Sequence, residues 1–184
     1  MKQDCITVAI ISDTHAHLHP QIDALIRTCD VAIHAGDICD GDILCAMKPK
    51  TGQVIAVRGN NDYPAAWPAH QSELVKAIPT VASLELPGGR VEIEHGHVHD
   101  MNSPDHEDLR EAHPGARLVV YGHTHRKVID DFKLPWVVNP GAAGETRTRG
   151  GASCLVLSAS ERLWKIESYR FTDPQGQAQV TSAA

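Results

Sequence analysis

The sequence is poor in aromatic residues and lacks a long apolar segment. Phe, Tyr and Trp together make up 4% of the 184 residues. No apolar run approaches the roughly 18 residues that a membrane-spanning helix needs. The amino terminus carries Asp4 ahead of a short apolar run, which is not the pattern of a signal peptide. We therefore expect a cytoplasmic protein that does not bind membranes.

Positive charge is also scarce. The chain has 17 Lys and Arg residues against 23 Asp and Glu residues, which gives a net charge of −6. Non-specific binding to nucleic acid needs many cations that displace counterions from the phosphates. This composition excludes strong binding of that kind. An anionic substrate would need local positive charge, which metal ions can supply.

The cysteine pattern gives no sign of a disulfide framework or a thiolate zinc site. The cysteines are odd in number, and none of them form a C-x-x-C pair: Cys5, Cys29, Cys39, Cys45 and Cys154. We expect them to be small buried hydrophobic residues. Histidine, the commonest metal ligand among side chains, is abundant by contrast, with 12 residues.

Length and composition predict a single globular domain. Apolar residues make up 42% and charged residues 22% of the chain, as in ordinary soluble folded proteins. We place the domain at residues 1–171. Residues 172–184 lack an apolar face, so we expect them to form a flexible tail.

The order of apolar runs predicts an α/β sandwich. Residues 5–11 and 31–35 are β-branched and apolar, and between them Ile22, Leu25 and Ile26 have helical spacing. A strand, a helix and a strand in this order indicate parallel strands. The second half predicts a hairpin around residues 87–89, further short strands, and a closing hairpin across Glu161. We expect a largely parallel first sheet, a mixed second sheet and helices outside.

Strands predicted to be buried end in short loops that carry Asp, Asn or His, in four of five cases beside glycine. The five loops are DTH at 13–15, GD at 36–37, GNND at 59–62, GH at 96–97 and GHTH at 122–125. Each alone could be an ordinary turn. Ligands of open α/β sheets bind at the carboxyl ends of strands, so we expect the loops to meet at one edge. Glycine in the four loops other than DTH allows the close backbone approach that a crowded site needs.

These loops contain seven side chains that can bind metal: Asp13, His15, Asp37, Asn60, His97, His123 and His125. One zinc ion takes four ligands, or three and water, so seven donors suit two ions that share a carboxylate. Mixed imidazole and oxygen ligands favour transition metals over Mg²⁺ or Ca²⁺. We expect two divalent ions, Mn²⁺ first, with Zn²⁺, Fe, Ni²⁺ and Co²⁺ as alternatives. Such a pair can hold both the attacking and the leaving oxygen in phosphoryl transfer.

The ordered set D-x-H, G-D, G-N-x-D, G-H and G-H-x-H resembles the calcineurin-like metallophosphoesterases. The flanks VRGNND, EHGH, YGHTH and VVNPG are similar to those of its small YfcE-like phosphodiesterase branch, over about residues 5–170. The resemblance implies an α/β fold, a four-layer αββα sandwich of two mixed β-sheets flanked by helices. It also implies one ion on Asp13, His15, Asp37 and His125, with Asp37 as the bridge to a second ion on Asn60, His97 and His123.

The predicted reaction is hydrolysis of a small phosphodiester by a hydroxide that bridges the two ions. The residues expected to be catalytic are Asp37, Asn60, Asp62, His97 and His123, with Asp62 holding the Asn60 loop through hydrogen bonds. The resemblance implies that many larger relatives carry His, as the general acid, where this chain has Asn61. An amide cannot donate a proton usefully, so we expect acidic leaving groups or another acid, such as His17 or His99.

Two other functions stay open at this point. One is a phosphomonoesterase of the same fold, and the other is a non-catalytic, protein-binding scaffold related to the retromer subunit. The presence of all seven donor types favours the enzyme. Arginines in the loops are candidate phosphate contacts, namely Arg58, Arg126 and Arg147. Self-association is left open.

Overall fold

The structure is a computed structural model that describes residues 5–172 and 178–183. Its strands are β1 (Ile6–Ile11), β2 (Val31–His34), β3 (Gln53–Ala56), β4 (Val81–Leu86), β5 (Gly89–Glu94), β6 (Leu118–Val120), β7 (Val128–Asp130), β8 (Trp136–Asn139), β9 (Ala152–Ala159), β10 (Trp164–Phe171) and β11 (Gln179–Ala183). Its α-helices are α1 (Pro20–Ile26), α2 (Gly41–Ala46), α3 (Ser72–Ala77) and α4 (His106–Ala112), with a 3-10 turn at Ala69–Gln71.

The first sheet has the strand order β11-β10-β9-β1-β2-β3. Only β1, β2 and β3 run parallel to one another, and the other three pair antiparallel. The expectation of a largely parallel first sheet was therefore wrong. The predicted closing hairpin across Glu161 does form, and its strand β9 pairs with β1, which buries Leu155 and Leu157 in the central core.

The second sheet has the strand order β4-β5-β6-β8-β7 and is mixed, as expected. Strands β5, β6 and β8 are parallel, and β4 and β7 pair antiparallel at the two edges. The predicted hairpin around residues 87–89 joins β4 to β5. Gly88 occupies its turn with a φ of 83°, a conformation that glycine adopts without steric cost.

Apolar side chains divide the molecule into four layers. The central core lies between the sheets and joins residues such as Ile10 and Ile33 of the first sheet to Ile93 and Val120 of the second. A second cluster packs α1 on the outer face of the first sheet, and a third places Leu109 of α4 on the outer face of the second. The fold is thus α/β with two mixed sheets and outer helices, which confirms the expected fold class.

Helix α1 illustrates how the sequence produces the outer layers. His19 caps its amino terminus, since Nδ1 accepts a hydrogen bond from Gln21 N at 3.3 Å, and Pro20 occupies the first turn, where no backbone donor is needed. Ile22 and Ile26, one turn apart, are fully buried. The helix therefore follows β1 directly, and the loop between them lies at the carboxyl end of that strand.

The carboxyl-terminal segment differs from the expected loose tail. Residues 179–183 form β11, which pairs antiparallel with β10 from Ile166 to Arg170. An edge strand is held by backbone hydrogen bonds, so it can form without an apolar face. Residues 173–177 of the expected tail lie outside the described residues, and the domain boundary at 171 stays a prediction.

The cysteines and helices meet the sequence expectations in part. All five cysteines are free; Cys29 and Cys154 are buried as expected, whereas Cys5 and Cys45 are exposed. Among the described residues, no helix is both long and apolar enough to cross a membrane.

Candidate metal centre

The loops that follow β1, β2, β5 and β6 meet at one end of the two sheets. Backbone hydrogen bonds hold them together: Asp13 N donates to Gly36 O at 2.9 Å, and His15 N donates to Asp37 O at 3.0 Å. Between the loops of the second sheet, Gly122 N donates to His95 O at 3.3 Å. The donors that the sequence singled out therefore come from separate loops into one place, as the carboxyl ends of parallel strands require.

Four of these donors form a compact cluster. Ligand atoms of Asp13, His15, Asp37 and His125 all lie within 4.8 Å of one another. His125 Nε2 is 3.3 Å from Asp13 Oδ1 and 3.1 Å from His15 Nε2. Ligands of a tetrahedral ion, each about 2.1 Å from the metal, are about 3.4 Å apart. These two separations are close to that value, and His15 Nε2 lies 3.8 Å from Asp37 Oδ2, so the cluster can hold a cation.

Asp13 is the strongest sign that the cluster binds a cation. Its side chain is completely buried, and neither carboxylate oxygen has a hydrogen bond of normal geometry within the described part of the chain; the nearby Ser12 side chain and His123 backbone offset the burial only in part. Buried polar atoms are almost always paired. Burial raises the pKa of Asp13 to about 7, because the charged form has lost its hydration. A cation at this position would supply the missing partner.

The backbone around these donors is strained. Asp13, His15, Asp37, His123 and His125 all have positive φ values, between 46° and 68°. Left-handed conformations of this kind cost non-glycine residues of order 1–3 kcal/mol each, and they cluster at functional sites. Here they turn both members of the pairs 13/15 and 123/125 towards the same centre.

His123 and Asn60 form a second group of donors beside the first. His123 Nδ1 lies 2.9 Å from Asn60 Oδ1, and its Nε2 lies 2.9 Å from Met101 O. Both partners are carbonyl oxygens, which can only accept, so a neutral imidazole can donate to just one of them. With Nε2–H donating to Met101 O, the lone pair of Nδ1 faces a lone pair of Asn60 Oδ1, and a cation bound to both atoms would relieve that contact.

His95 completes this second group, and the sequence interpretation missed it. Its Nδ1–H donates to Ala35 O at 2.7 Å, which directs Nε2 towards Asp37 Oδ1 at 3.4 Å. Nε2 is buried and has no hydrogen-bond partner among the described residues. Burial alone would lower the pKa of His95, but the carboxylates of Asp37 and Asp13 raise it to about 9. A proton on Nε2 thus occupies a position that also suits a cation.

His97, the ligand that the sequence predicted, lies nearby without the same contacts. Its ring centroid is 5.4 Å from that of His95 and 6.2 Å from that of His123. A role for His97 as ligand stays a prediction. The signal that favours His95 is its place in an apolar run directly after β5, where the strand's end points it inward.

Glycine is necessary at position 59, beside the donors Asp37 and His95. A Cβ atom at Gly59 would lie 2.2 Å from Asp37 Oδ1 and 2.8 Å from His95 Nε2, and both distances are too short for any side chain. The close backbone approach expected from the G-N-x-D motif is therefore present at this position.

Asp62 holds the loops together. Its carboxylate accepts hydrogen bonds from Ile38 N at 3.0 and 3.1 Å, Cys39 N at 2.8 Å, Gly59 N at 2.8 Å and Trp67 Nε1 at 3.0 Å. The carboxylate joins the loop after β2 to the loop after β3. The role of Asp62 as a residue that positions the Asn60 loop stays a prediction, which these hydrogen bonds support.

The candidate proton donors have other partners. Asn61 donates to both oxygens of Asp37. His17 pairs with Glu145 at 3.0 Å, and His99 lies 2.9 Å from Glu94. Neither imidazole makes a contact with the clustered donors in the described structure. A general acid is therefore not evident among these residues.

A polar cavity of about 400 Å³ opens beside the donors. Its walls include Asp37, Asn60 and His123 from the two donor groups, and Arg147 and Arg149 from the loop before β9. Arg147 Nη2 donates to His125 Nε2 at 2.9 Å. Of the arginines that the sequence suggested, Arg147 lines the cavity, whereas Arg58 and Arg126 do not; Arg149 was missed.

A second concavity of about 470 Å³ lies elsewhere on the second sheet. It is lined by Arg90, Arg117 and Trp136, at the amino ends of β5, β6 and β8. The strands' opposite ends carry the donors, so this concavity is separate from the candidate metal centre.

Two mixed sheets with carboxylate and imidazole donors at the carboxyl ends of their strands form an α/β protein with a site that can hold a metal ion. The chain matches the calcineurin-like phosphoesterase superfamily domain over residues 6–162, and it belongs to that metal-dependent superfamily. The match confirms the family resemblance seen in the motifs.

Two curated relatives come from Methanocaldococcus jannaschii. A probable metallophosphoesterase is 28% identical over 165 residues, which cover 85% of this chain and 77% of the relative. A phosphodiesterase is 30% identical over 146 residues, which cover 73% of this chain and 82% of the relative.

Solved structures share the fold. Vps29 from Entamoeba histolytica, in complex with zinc, has a TM-score of 0.75 at 18% identity, and covers 97% of this chain and 98% of its own. An archaeal phosphodiesterase has a TM-score of 0.65 at 24% identity, and covers 88% and 98% respectively. At these identities the similarity establishes the fold alone.

Proposed function

We propose that the protein is a dinuclear, metal-dependent phosphodiesterase that acts on small phosphoesters. The observation that carries the proposal is the buried, unpartnered carboxylate of Asp13 beside three further donors. The family is metal-dependent, and a relative at 30% identity is named a phosphodiesterase. Both support hydrolysis of a phosphoric ester at this centre.

In this proposal the donors divide into two sets that share Asp37. The first set is Asp13, His15, Asp37 and His125. The second is Asp37, Asn60, His95 and His123, where His95 replaces the predicted His97 because its Nε2 lies 3.4 Å from Asp37 Oδ1. The mixed nitrogen and oxygen donors favour Mn²⁺, Zn²⁺, Fe, Ni²⁺ or Co²⁺.

Bound divalent cations supply Lewis acidity and lower the pKa of water, which are the requirements for hydrolysis at phosphorus. The residues of the chain orient the metal ligands and the substrate. Asn61 holds both oxygens of Asp37, and the carbonyl of Ala35 orients His95. Arg147 lines the cavity with its guanidinium, which can donate to a phosphoryl oxygen.

The leaving group receives little help from the chain. The Asn61 amide donates to Asp37 and cannot release a proton, and His17 and His99 are paired with glutamates. We therefore expect faster hydrolysis of esters whose alcohol is acidic, because such a group leaves without protonation.

A protein-binding scaffold is the second candidate, favoured by the fold shared with Vps29. A phosphomonoesterase is the third. The first test is to purify the chain without chelators, measure metal per chain by mass spectrometry, and assay bis-p-nitrophenyl phosphate and p-nitrophenyl phosphate with added Mn²⁺. We expect bound metal and faster turnover of the diester. Absence of both metal and turnover would favour the scaffold, and faster turnover of the monoester would favour the phosphomonoesterase.

Single variants test the assignment of donors. Asp13→Asn and His95→Ala should each lose metal and turnover, whereas His70→Ala, at an exposed position, should keep both. Comparison of His95→Ala with His97→Ala decides between the two histidines. If only His97→Ala lost metal, the sequence prediction would be right and the assignment of His95 wrong.

A further inference from the structure

Two arginines face the cavity beside the candidate metal centre without an acidic partner. Arg147 and Arg149 are both exposed and both line this cavity. No carboxylate within the described residues lies at ion-pair distance from either guanidinium. Among the described residues that line the cavity, Asp37 is the one with a carboxylate, and it belongs to the donor cluster. The arginine charges are therefore available to a ligand.

The backbone presents both side chains to the same cavity. Arg147 and Arg149 are two residues apart, and each has a φ of 50°. Arg149 O is also fixed, since it accepts a hydrogen bond from Arg170 Nη1 at 3.0 Å. The loop thus holds a repeated left-handed conformation that is unfavourable for arginine, and it places two cations on one wall.

Charge matching indicates what these cations bind. With the proposed pair of divalent cations in place, Asp13 and Asp37 offset half of the metal charge. The single negative charge of a phosphodiester offsets half of the remainder. Both guanidinium charges then stay unmatched, although arginine is suited to bidentate binding of phosphate.

The remaining wall residues favour a charged group over a nucleobase. They include the amides of Asn60, Asn61 and Asn102 and the hydroxyl of Thr124. Among the described residues that line the cavity, His123 has the one aromatic ring, and both of its nitrogens already have partners. Stacking of a base on aromatic side chains is the usual source of sequence-tolerant nucleotide binding, and this cavity offers little of it.

We propose that Arg147 and Arg149 form an anion subsite that selects phosphodiesters carrying a second phosphate group on the esterified alcohol. The inference rests on the proposed function, because it names the substrate class of the same site. Arg149 is the specific element: Arg147 contacts the donor His125, whereas Arg149 has no contact with a donor among the described residues. The second phosphate would be bound by Arg149, with Arg147 between the two anionic groups.

The test uses two esters that differ only in the second phosphate. These are thymidine 5′-(p-nitrophenyl phosphate) and the same compound with a 3′-phosphate. For the wild-type protein we expect a kcat/KM at least about tenfold higher for the 3′-phosphorylated ester, expressed mainly in KM, and a preference that weakens as salt is added. In Arg149→Gln the ratio should fall to about threefold or less, and Arg149→Lys should retain part of it.

Arg126→Gln is the matched control. Arg126 follows the donor His125 and is exposed, but it does not line the cavity, so its loss removes the same charge without removing the subsite. The control should keep the wild-type ratio. An equal fall in Arg126→Gln and Arg149→Gln would show a general electrostatic effect and overturn the subsite.

A binding measurement keeps the inference separate from the proposed activity. Calorimetry with thymidine 3′,5′-bisphosphate and thymidine 5′-monophosphate should show at least about tenfold weaker binding of the bisphosphate to Arg149→Gln, with a smaller change for the monophosphate. Equal losses for the two ligands would overturn the subsite. If neither ester is hydrolysed but the bisphosphate binds as described, the proposed function fails and the anion subsite stands. If both esters are hydrolysed at the same rate, the proposed function stands and the anion subsite fails.

Discussion

Asn61 donates two hydrogen bonds to Asp37, from its backbone N to Oδ1 at 2.9 Å and from its side-chain Nδ2 to Oδ2 at 2.7 Å. Burial opposes ionisation of Asp37, but these bonds and the neighbouring His95 hold its pKa well below the ordinary range. The carboxylate is therefore charged and fixed in direction before any cation binds. Asn61 therefore orients the carboxylate that is proposed as the bridging ligand.

The first prediction follows from that contact. Asn61→Ala removes the Nδ2 bond and keeps the backbone bond, so the metal affinity should fall by about 10-fold to 100-fold, as for other groups that orient metal ligands. Competition with a chromophoric chelator measures the affinity. Asn102→Ala is the control, since Asn102 lines the same cavity without touching a donor. Unchanged affinity in Asn61→Ala would show that Asp37 needs no orientation by this amide.

Asp62 gives a prediction on stability. Asp62→Ala leaves four N–H groups without their acceptor, three of them in buried hydrogen bonds, so the free energy of unfolding should fall by about 3 kcal/mol or more. Asp105→Ala is the comparison. Asp105 caps α4 by accepting from Glu107 N at 2.8 Å at an exposed position, and its loss should cost about 1 kcal/mol. Urea denaturation of metal-free protein measures both, and similar losses would contradict the linking role of Asp62.

The sequence predicted the place of the site better than its detailed donors. Asp13 and Asp37 follow parallel neighbours β1 and β2, and the carboxyl ends of such strands must meet. The choice between His95 and His97 depends on which residue of H-G-H still points inward after β5. That direction is set by the Ala35 carbonyl, on a loop 60 residues away, and local sequence does not show it.

The same limit applies to the sheets. The pattern of residues 152–171 predicted a hairpin, which is a local structure, but it did not determine that β9 would pair with β1. Strand β11 was not predicted because its residues show no apolar alternation. Its formation depends on pairing with the free edge of β10, which lies elsewhere in the sequence. Arg149 was missed because arginine in a polar loop is common, and only the fold brings it to the cavity.

Asp30 supplies a prediction on pH that is independent of the metal centre. Its Oδ2 accepts from Thr7 Oγ1 at 2.7 Å and Thr7 N at 2.8 Å, and these bonds lower the pKa of Asp30. A lowered folded-state pKa gives stability that is present above the unfolded-state value, about 3.8, and is lost as the pH falls through the folded-state value. Asp30→Asn should therefore cost about 1 kcal/mol at pH 7, and the difference from wild type should shrink below about pH 4. A difference that is constant with pH, measured by chemical denaturation, would show that the charge of Asp30 contributes nothing.

The contribution of Asp13 to stability should change with pH in the opposite direction to that of Asp30, because the folded-state pKa of Asp13 is raised rather than lowered. In metal-free protein the unfolded chain ionises near 3.8 and the folded chain near 7, so the unfolded state binds fewer protons between these values and stability falls as the pH rises. Above about pH 7 the full penalty of the buried charge is present. Asp13→Asn removes it, so the metal-free variant should be more stable than metal-free wild type at pH 8, by about 2 to 4 kcal/mol.

Addition of metal should reverse that order. A cation that binds only the folded state stabilises it by about 2.7 kcal/mol at 100 times its dissociation constant. Wild type should gain this stability with Mn²⁺ or Zn²⁺ at pH 8, and Asp13→Asn should gain little, because a neutral amide replaces the carboxylate beside His125. Thermal and urea unfolding, with and without metal, measure which of the two proteins is the more stable in each condition. If wild type were already the more stable protein without metal, Asp13 would have a partner that the described contacts do not include, and the case for a cation at this position would be lost.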